Sequence, residues 1–240
     1  DAVVWKFKTG DDGQILQTRF ISENKSLMGV TTLKKVNEEF TINGKKGTPD
    51  TIEIGVAATG TLVKMLGIIN SDVSIGFKMV NVREQDKYAS MILRENSVKT
   101  EYMLADLSVI RQAPSLKQIP EYEIELEISP EFVESFIKGK AGLPDSKTFT
   151  VMKEDDKFKV VIGHSTINTN KITIFVSGES TVEDINAISF SADFLREILL
   201  ANKDATVSKM EISTRGLCHI HFDSETSTTD YYLVEMDLED

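Results

Sequence analysis

The chain is short of the residues that staple folds or carry chemistry. Its single cysteine, Cys218, excludes an intrachain disulfide and fits a reducing compartment. Three histidines beside that one thiol are a poor stock for a metal centre. No apolar run approaches the ~20 residues of a membrane helix. No basic segment followed by an apolar one opens the chain, so no signal peptide is expected. The first residue is Asp1 rather than Met, which points to a processed or truncated N-terminus.

Chemical motifs are equally sparse. Gly55 and Gly60 have the spacing of a phosphate loop, but Thr61 and Leu62 stand where Lys and Ser or Thr are required. His219-Ile-His221 puts two imidazoles on one strand face, yet Cys218 points to the opposite face and no third ligand stands nearby in sequence. The expected role of that pair is a solvated polar face, and Cys218 reads as a small core residue. His164 has no Ser or Asp partner at a spacing that indicates a triad. Asp11-Asp12 and Asp155-Asp156 have the composition of hairpin turns. Asn24-Lys-Ser26 fits a glycosylation acceptor, without consequence in a chain lacking a signal peptide. No catalytic residue, metal or cofactor is expected, and the protein reads as no enzyme.

What the chain does contain is repetition. Its 240 residues suit two ordinary domains, and 40% hydrophobic composition fits a soluble globular protein. Thr59-Gly-Thr-Leu62-Val63-Lys-Met-Leu66, Ser129-Pro-Glu-Phe132-Val133-Glu-Ser-Phe136 and Ser191-Ala-Asp-Phe194-Leu195-Arg-Glu-Ile198 share one pattern. Each opens with a residue able to cap a helix. Each then sets apolar residues three, four and seven positions on, along one helical face. Pro130 occupies the first helical position, where its missing N–H costs nothing.

Strand-like alternation precedes each pattern, at Thr51–Val56, Tyr122–Ile128 and Ala187–Phe190. Three further strands follow each: Val73–Val80, Tyr88–Glu95 and Val98–Leu104; Thr148–Lys153, Phe158–His164 and Lys171–Ser177; Val207–Thr214, Leu217–Phe222 and Asp230–Met236. The opening stretch holds Val3–Lys8, Gln14–Ile21, Leu27–Leu33 and Glu39–Ile42, the same unit without its first strand and helix. A turn-rich loop covers 43–49. The expected fold is therefore α+β, made of repeated strand–helix–strand–strand–strand units with antiparallel sheets and helices on one face. Residues 1–107 form one domain, 108–121 a connector and 122–240 a second domain.

The net charge of −11, from 27 Lys+Arg against 38 Asp+Glu, argues against nucleic acid if spread evenly. It is not spread evenly if the helices share a surface. Lys64, Lys138, Lys140, Arg196 and Lys203 lie on, or just after, the polar sides of the repeat helices. They are interleaved with Glu131, Glu134, Asp193 and Glu197, so each stripe is only weakly basic.

Several passages resemble DNA sliding clamps, nearest those of large tailed phages and more distantly proliferating cell nuclear antigen. Ile119-Pro-Glu-Tyr122, leading by alternation to Ser129-Pro-Glu-Phe132, is similar to the clamp passage out of the connector. Ile188-Ser-Phe-Ser-Ala-Asp-Phe194-Leu-Arg196 looks like the approach to the last clamp helix, and Asp230-Tyr-Tyr232-Leu-Val like the closing strand. Tyr102-Met-Leu-Ala105-Asp106-Leu-Ser-Val-Ile110 is similar to the phage clamps' path into the connector. The resemblance runs from about residue 14 to 240. A clamp opens with a strand and helix for which this chain has no room. Either an N-terminal piece is missing or the first unit has lost its helix.

The resemblance implies a homotrimeric ring with sheets outside and helices lining the inner face. Such a ring tethers the replicative polymerase to duplex DNA, binds the backbone without sequence preference and is opened by a clamp loader. It implies an intracellular protein at the replication fork, in host cytoplasm if phage-encoded, with no membrane partner. The five basic residues above would face DNA. Val98, Thr100, Tyr102 and Leu104 would meet Ile172, Ile174 and Val176 across the subunit interface. Val109, Ile110, Leu116, Ile119 and Pro120, over Tyr232 and Leu233, would take partner peptides; covering the second domain's core is the plainer use of these residues. The rival readings are a monomeric processivity subunit of the same fold and a viral structural or carbohydrate-binding β protein.

Overall fold

A computed structural model describes residues 2–10, 13–33, 51–69, 74–95, 97–114, 118–165, 170–183 and 185–237. The expected Asp11-Asp12 turn, the Glu39–Ile42 strand, the loop 43–49 and the pocket residue Leu116 lie outside the described residues. The chain divides into two compact units. One holds Asp1–Phe20 and Thr32–Ala113; the other holds Ile21–Thr31 and Pro114–Asp240.

In the first unit, β1 (Ala2–Gly10) lies between β2 (Gly13–Ile21) and β4 (Thr51–Ala57), antiparallel to both. β3 (Leu27–Leu33) belongs largely to the second unit. After β4 comes α1 (Thr59–Leu66), then an antiparallel sheet of β5 (Ser74–Val82), β6 (Gln85–Glu95) and β7 (Val98–Met103). Arg83 and Glu84 join β5 to β6 with φ of 53° and 65°, the double left-handed conformation of a tight hairpin turn. The core gathers Phe7, Ile52, Ile54 and Val56 with Leu62 of α1 and Met91, Leu93 and Tyr102. These are the alternate positions of each strand and the inward side of the helix.

Thr59 does not cap α1. Ala58 holds that position in the left-handed region, φ 52° and ψ 54°, with no side-chain capping bond. Gly55, half of the false phosphate-loop spacing, lies inside β4. A Cβ there would meet the Ala105 carbonyl oxygen at 2.4 Å and Ile110 Cδ1 at 2.7 Å. Glycine lets the segment after β7 close onto β4, where Ala105 N donates to Gly55 O at 2.9 Å.

The second unit repeats the plan twice. β8 (Ile124–Glu127), α2 (Pro130–Gly142), β9 (Thr148–Glu154), β10 (Lys157–Ile162), β11 (Ile172–Val176) and the short β12 (Gly178–Ser180) form the first copy. β13 (Ile188–Ser191), α3 (Ala192–Ala201), β14 (Val207–Ser213), β15 (Leu217–Asp223) and β16 (Ser227–Val234) form the second. One sheet runs β12-β8-β14-β15-β16-β3 and the other β11-β10-β9-β13. Asp155 and Asp156 make the two-residue turn between β9 and β10, with φ of 49° and 57°.

Here both caps form as the sequence indicates. Ser129 Oγ accepts from Phe132 N at 3.2 Å, and Ser191 Oγ accepts from Phe194 N at 3.3 Å. The helices α2 and α3 pack on each other, α2 also against β11 and α3 against β9. Phe132 and Phe136 of α2 continue through Phe149 of β9 to Phe190 of β13, a chain of ring contacts 5.6–5.8 Å apart. Removing one such buried ring typically costs 3–5 kcal/mol. On β15, Cys218, Ile220 and Phe222 are buried while His219 and His221 take the opposite face. That alternation gathers both imidazoles into one polar cluster with Glu211 and Asp230.

Candidate nucleic-acid and partner interfaces

The five basic residues divide into three kinds. Lys64 on α1 and Lys203 after α3 are exposed. Lys138 pairs with Glu134 one turn earlier on α2, and Arg196 pairs with its neighbour Glu197 on α3. Both pairs keep the cations at the surface. Lys140 is different and corrects the expectation. Its side chain is only 5% exposed, donating to the Pro144 carbonyl at 2.7 Å and pairing with Asp193 Oδ1 at 2.8 Å. It ties the end of α2 to the start of α3 and is not available to a phosphate.

The two expected interface strands are both edge strands among the described residues: β7 ends the β5-β6-β7 sheet, and β11 ends the β11-β10-β9-β13 sheet. Their facing side chains differ from expectation. Tyr102 and Ile174 are buried in their own units, while Val98, Thr100, Leu104, Ile172 and Val176 are partly buried. The large apolar residues that stand outward on these strands are Met103, 67% exposed, and Phe175, 69% exposed, beside the exposed Lys99, Glu101 and Thr173. Exposed apolar side chains on open edges are an association surface or a liability. Strand alternation in the sequence is the signal that could have found them, since they hold the positions between those expected at the interface.

The connector residues also separate. In the first unit, Val109 is 76% exposed in a 3-10 turn (Leu107–Val109) capped by Asp106, while Ile110 is buried. Asp106 Oδ1 accepts from Ser108 N at 3.0 Å, and its Oδ2 meets Lys87 at 2.6 Å. The lysine bond and the backbone bond hold its carboxyl well below the usual aspartate range. In the second unit, Ile119 is 50% exposed, Pro120 and Tyr232 partly so, and Leu233 fully buried. Ile110 and Leu233 are therefore core residues rather than pocket lining.

Tyr232 has a partner that the sequence did not suggest. Its ring stacks on His219 at 4.8 Å and 14°, and Tyr122 covers the other aromatic contact at 5.6 Å and 24°. Glu211 Oε2 lies 2.7 Å from His219 Nδ1, and Asp230 Oδ1 lies 2.9 Å from His219 Nε2 and 2.8 Å from His221 Nδ1. Burial presses His219 toward its neutral form, but bonds to Asp230 and Glu211 outweigh it and raise its proton affinity above the ordinary value. Burial likewise opposes charge on Glu211 and Asp230; bonds from Lys209 and His219 lower the first, and bonds from His219 and His221 lower the second. The solvated histidine pair expected from the sequence is instead half-buried and bonded, and its missing third group is Asp230 on the next strand.

Helices repeated on antiparallel sheets give the chain the fold of the sliding clamps. A. fulgidus PCNA, solved with the C-terminal region of FEN-1 bound, matches with a TM-score of 0.68 at 15% identity, over 100% of this chain and 91% of that one. Entamoeba histolytica Proliferating Cellular Nuclear Antigen matches at 0.67 and 16% identity, over 99% and 90%. No protein-family model and no curated protein sequence matches the chain. Among the described residues no helix is long and apolar enough to cross a membrane.

Proposed function

We propose that the chain is one subunit of a ring-shaped DNA sliding clamp, a non-enzymatic factor that keeps a replicative polymerase on duplex DNA. The observation that carries this reading is fold likeness from end to end of the chain. The sequence resemblance to phage clamps supports it independently and points to a large tailed phage as the source. The replication fork in host cytoplasm would then be the working location.

In this reading residues 1–107 and 122–240 are the two clamp domains and 108–121 is the connector. Three copies close head to tail, the β7 edge of one on the β11 edge of the next, because a heterologous contact makes a ring when its rotation closes. Lys64, Lys138, Arg196 and Lys203 meet DNA phosphates. Carboxylates beside Lys138 and Arg196 keep these contacts weak, as a ring that must slide requires. In the second unit Ile119, Pro120 and Tyr232 offer a partner surface, for polymerase and for the loader that opens the ring; Val109 is a separate exposed apolar residue of the first unit.

The test combines mass in solution with polymerase run length. Sedimentation should give about three chain masses, and loaded protein should lengthen synthesis by the cognate polymerase. A monomer that still lengthens synthesis by holding DNA on an open face would replace the ring with the monomeric reading. A monomer without effect on run length would remove the processivity role altogether.

A further inference from the structure

We propose that His219, His221 and Asp230 form a binding site for one divalent transition-metal ion, of which zinc is the reference case. The inference rests on side-chain geometry in the second unit and does not depend on the clamp reading.

Strand register assembles the three groups. His219 and His221 are two apart on β15 and so share a face. In the antiparallel pairing with β16, His221 lies opposite Asp230 and His219 opposite Tyr232. The three potential ligand atoms all lie within 4.8 Å of one another. Bonds of about 2.0–2.1 Å in a tetrahedron set ligand atoms ~3.3 Å apart. The Asp230 oxygen now sits 2.9 Å and 2.8 Å from the two imidazole nitrogens. An ion would be admitted by drawing the Asp230 oxygen back roughly half an ångström and closing the longest separation, 4.8 Å, by about 1.5 Å, both within reach of side-chain rotation.

His219 is already oriented for ligation. Glu211 holds its Nδ1 at 2.7 Å, which leaves Nε2 to face the site. A carboxylate behind a ligating imidazole fixes its tautomer and raises its basicity. The two tyrosine contacts lie on the ring faces. Coordination occurs in the ring plane, so stacking and ligation are compatible. Lys209 lies 2.7 Å from Glu211 and so answers its charge from the far side; the positive partners shown for Asp230 are the two histidines. His221 and Asp230 remain 26% and 31% exposed, which leaves a path for the ion and room for water as fourth ligand. Two imidazoles and one carboxylate favour borderline ions such as zinc over magnesium or calcium, which prefer oxygen throughout.

The experiment uses the untagged full chain, stripped with chelator, at mildly alkaline pH. Cobalt(II) titration should give visible ligand-field bands saturating at one equivalent per chain, and zinc should bleach them. His221→Gln and Asp230→Asn should each weaken binding at least tenfold, and Glu211→Gln by about tenfold. His164→Gln should bind as the parent does. Circular dichroism reports whether each variant is folded. A readout that needs no variant is the imidazole NMR spectrum, where zinc should move the His219 and His221 signals and leave His164 in place. Absence of the cobalt bands in the parent, unchanged affinity in folded His221→Gln and Asp230→Asn, or zinc shifts confined to His164 would each overturn the proposal.

Discussion

Ser129 and Ser191 show how one hydroxyl turns a strand into a helix. The first turn of a helix leaves backbone N–H groups without partners, and each serine accepts one of them, from Phe132 and from Phe194. Thr59 has the same place in the sequence pattern but does no such work, because Ala58 precedes the helix in a left-handed conformation. Ser129→Ala and Ser191→Ala should therefore each destabilise the chain by about 1 kcal/mol. Thr59→Ala should be neutral or slightly stabilising, since alanine is the better helix former. Denaturant unfolding of the three variants checks this. Equal losses at all three positions would mean that Thr59 caps α1 in solution. Lys140 carries a related lesson: a sequence shows the charge but not the burial, and its long stem allows a cation to be taken inside when a carbonyl and a carboxylate meet it.

Among elements, the repeated order was legible because capping and periodicity are local signals. Each of the three expected helices formed, and the strands after them fell within a few residues of the expected spans. Cross-strand register was not legible, since it depends on which strands pair. Asp230 therefore went unrecognised as the third group beside His219 and His221. The outward side of β7 and β11 was missed for the same reason: an edge strand alternates visibly, but the phase that faces its own core is set by the layers around it. In the proposed ring, their exposure makes Met103 and Phe175 the side chains to test for subunit contact. Met103→Asp with Phe175→Asp should shift the sedimenting species from trimer toward monomer at low micromolar concentration and leave the circular dichroism spectrum intact. Each lost apolar anchor should cost more than ~1 kcal/mol of association. A double variant that still sediments as a trimer would move the interface to other strands.

For the molecule as a whole, the clamp we propose raises the question of how a chain of net charge −11 would hold a polyanion. A protein that binds DNA by charge alone needs a basic face, and the helices here present lysines and arginine interleaved with glutamates. A ring needs far less, because closure does the holding and phosphate contacts only guide the duplex. The two mechanisms differ in their response to salt. Each phosphate contact removed should lower the logarithmic salt slope of DNA association by about 0.9. Arg196→Ala with Lys203→Ala should therefore lower the slope by nearly two units and weaken loading, with the trimer intact and processivity reduced rather than lost. Lys140→Ala is the control: the charge change is the same in kind, but the buried lysine should leave the slope unchanged while lowering thermal stability, because it strands the Pro144 carbonyl. A salt slope identical to the parent's in the Arg196/Lys203 double variant would make these residues an ordinary solvated face. DNA binding abolished outright in an intact trimer would mean that charge, and not closure, does the holding.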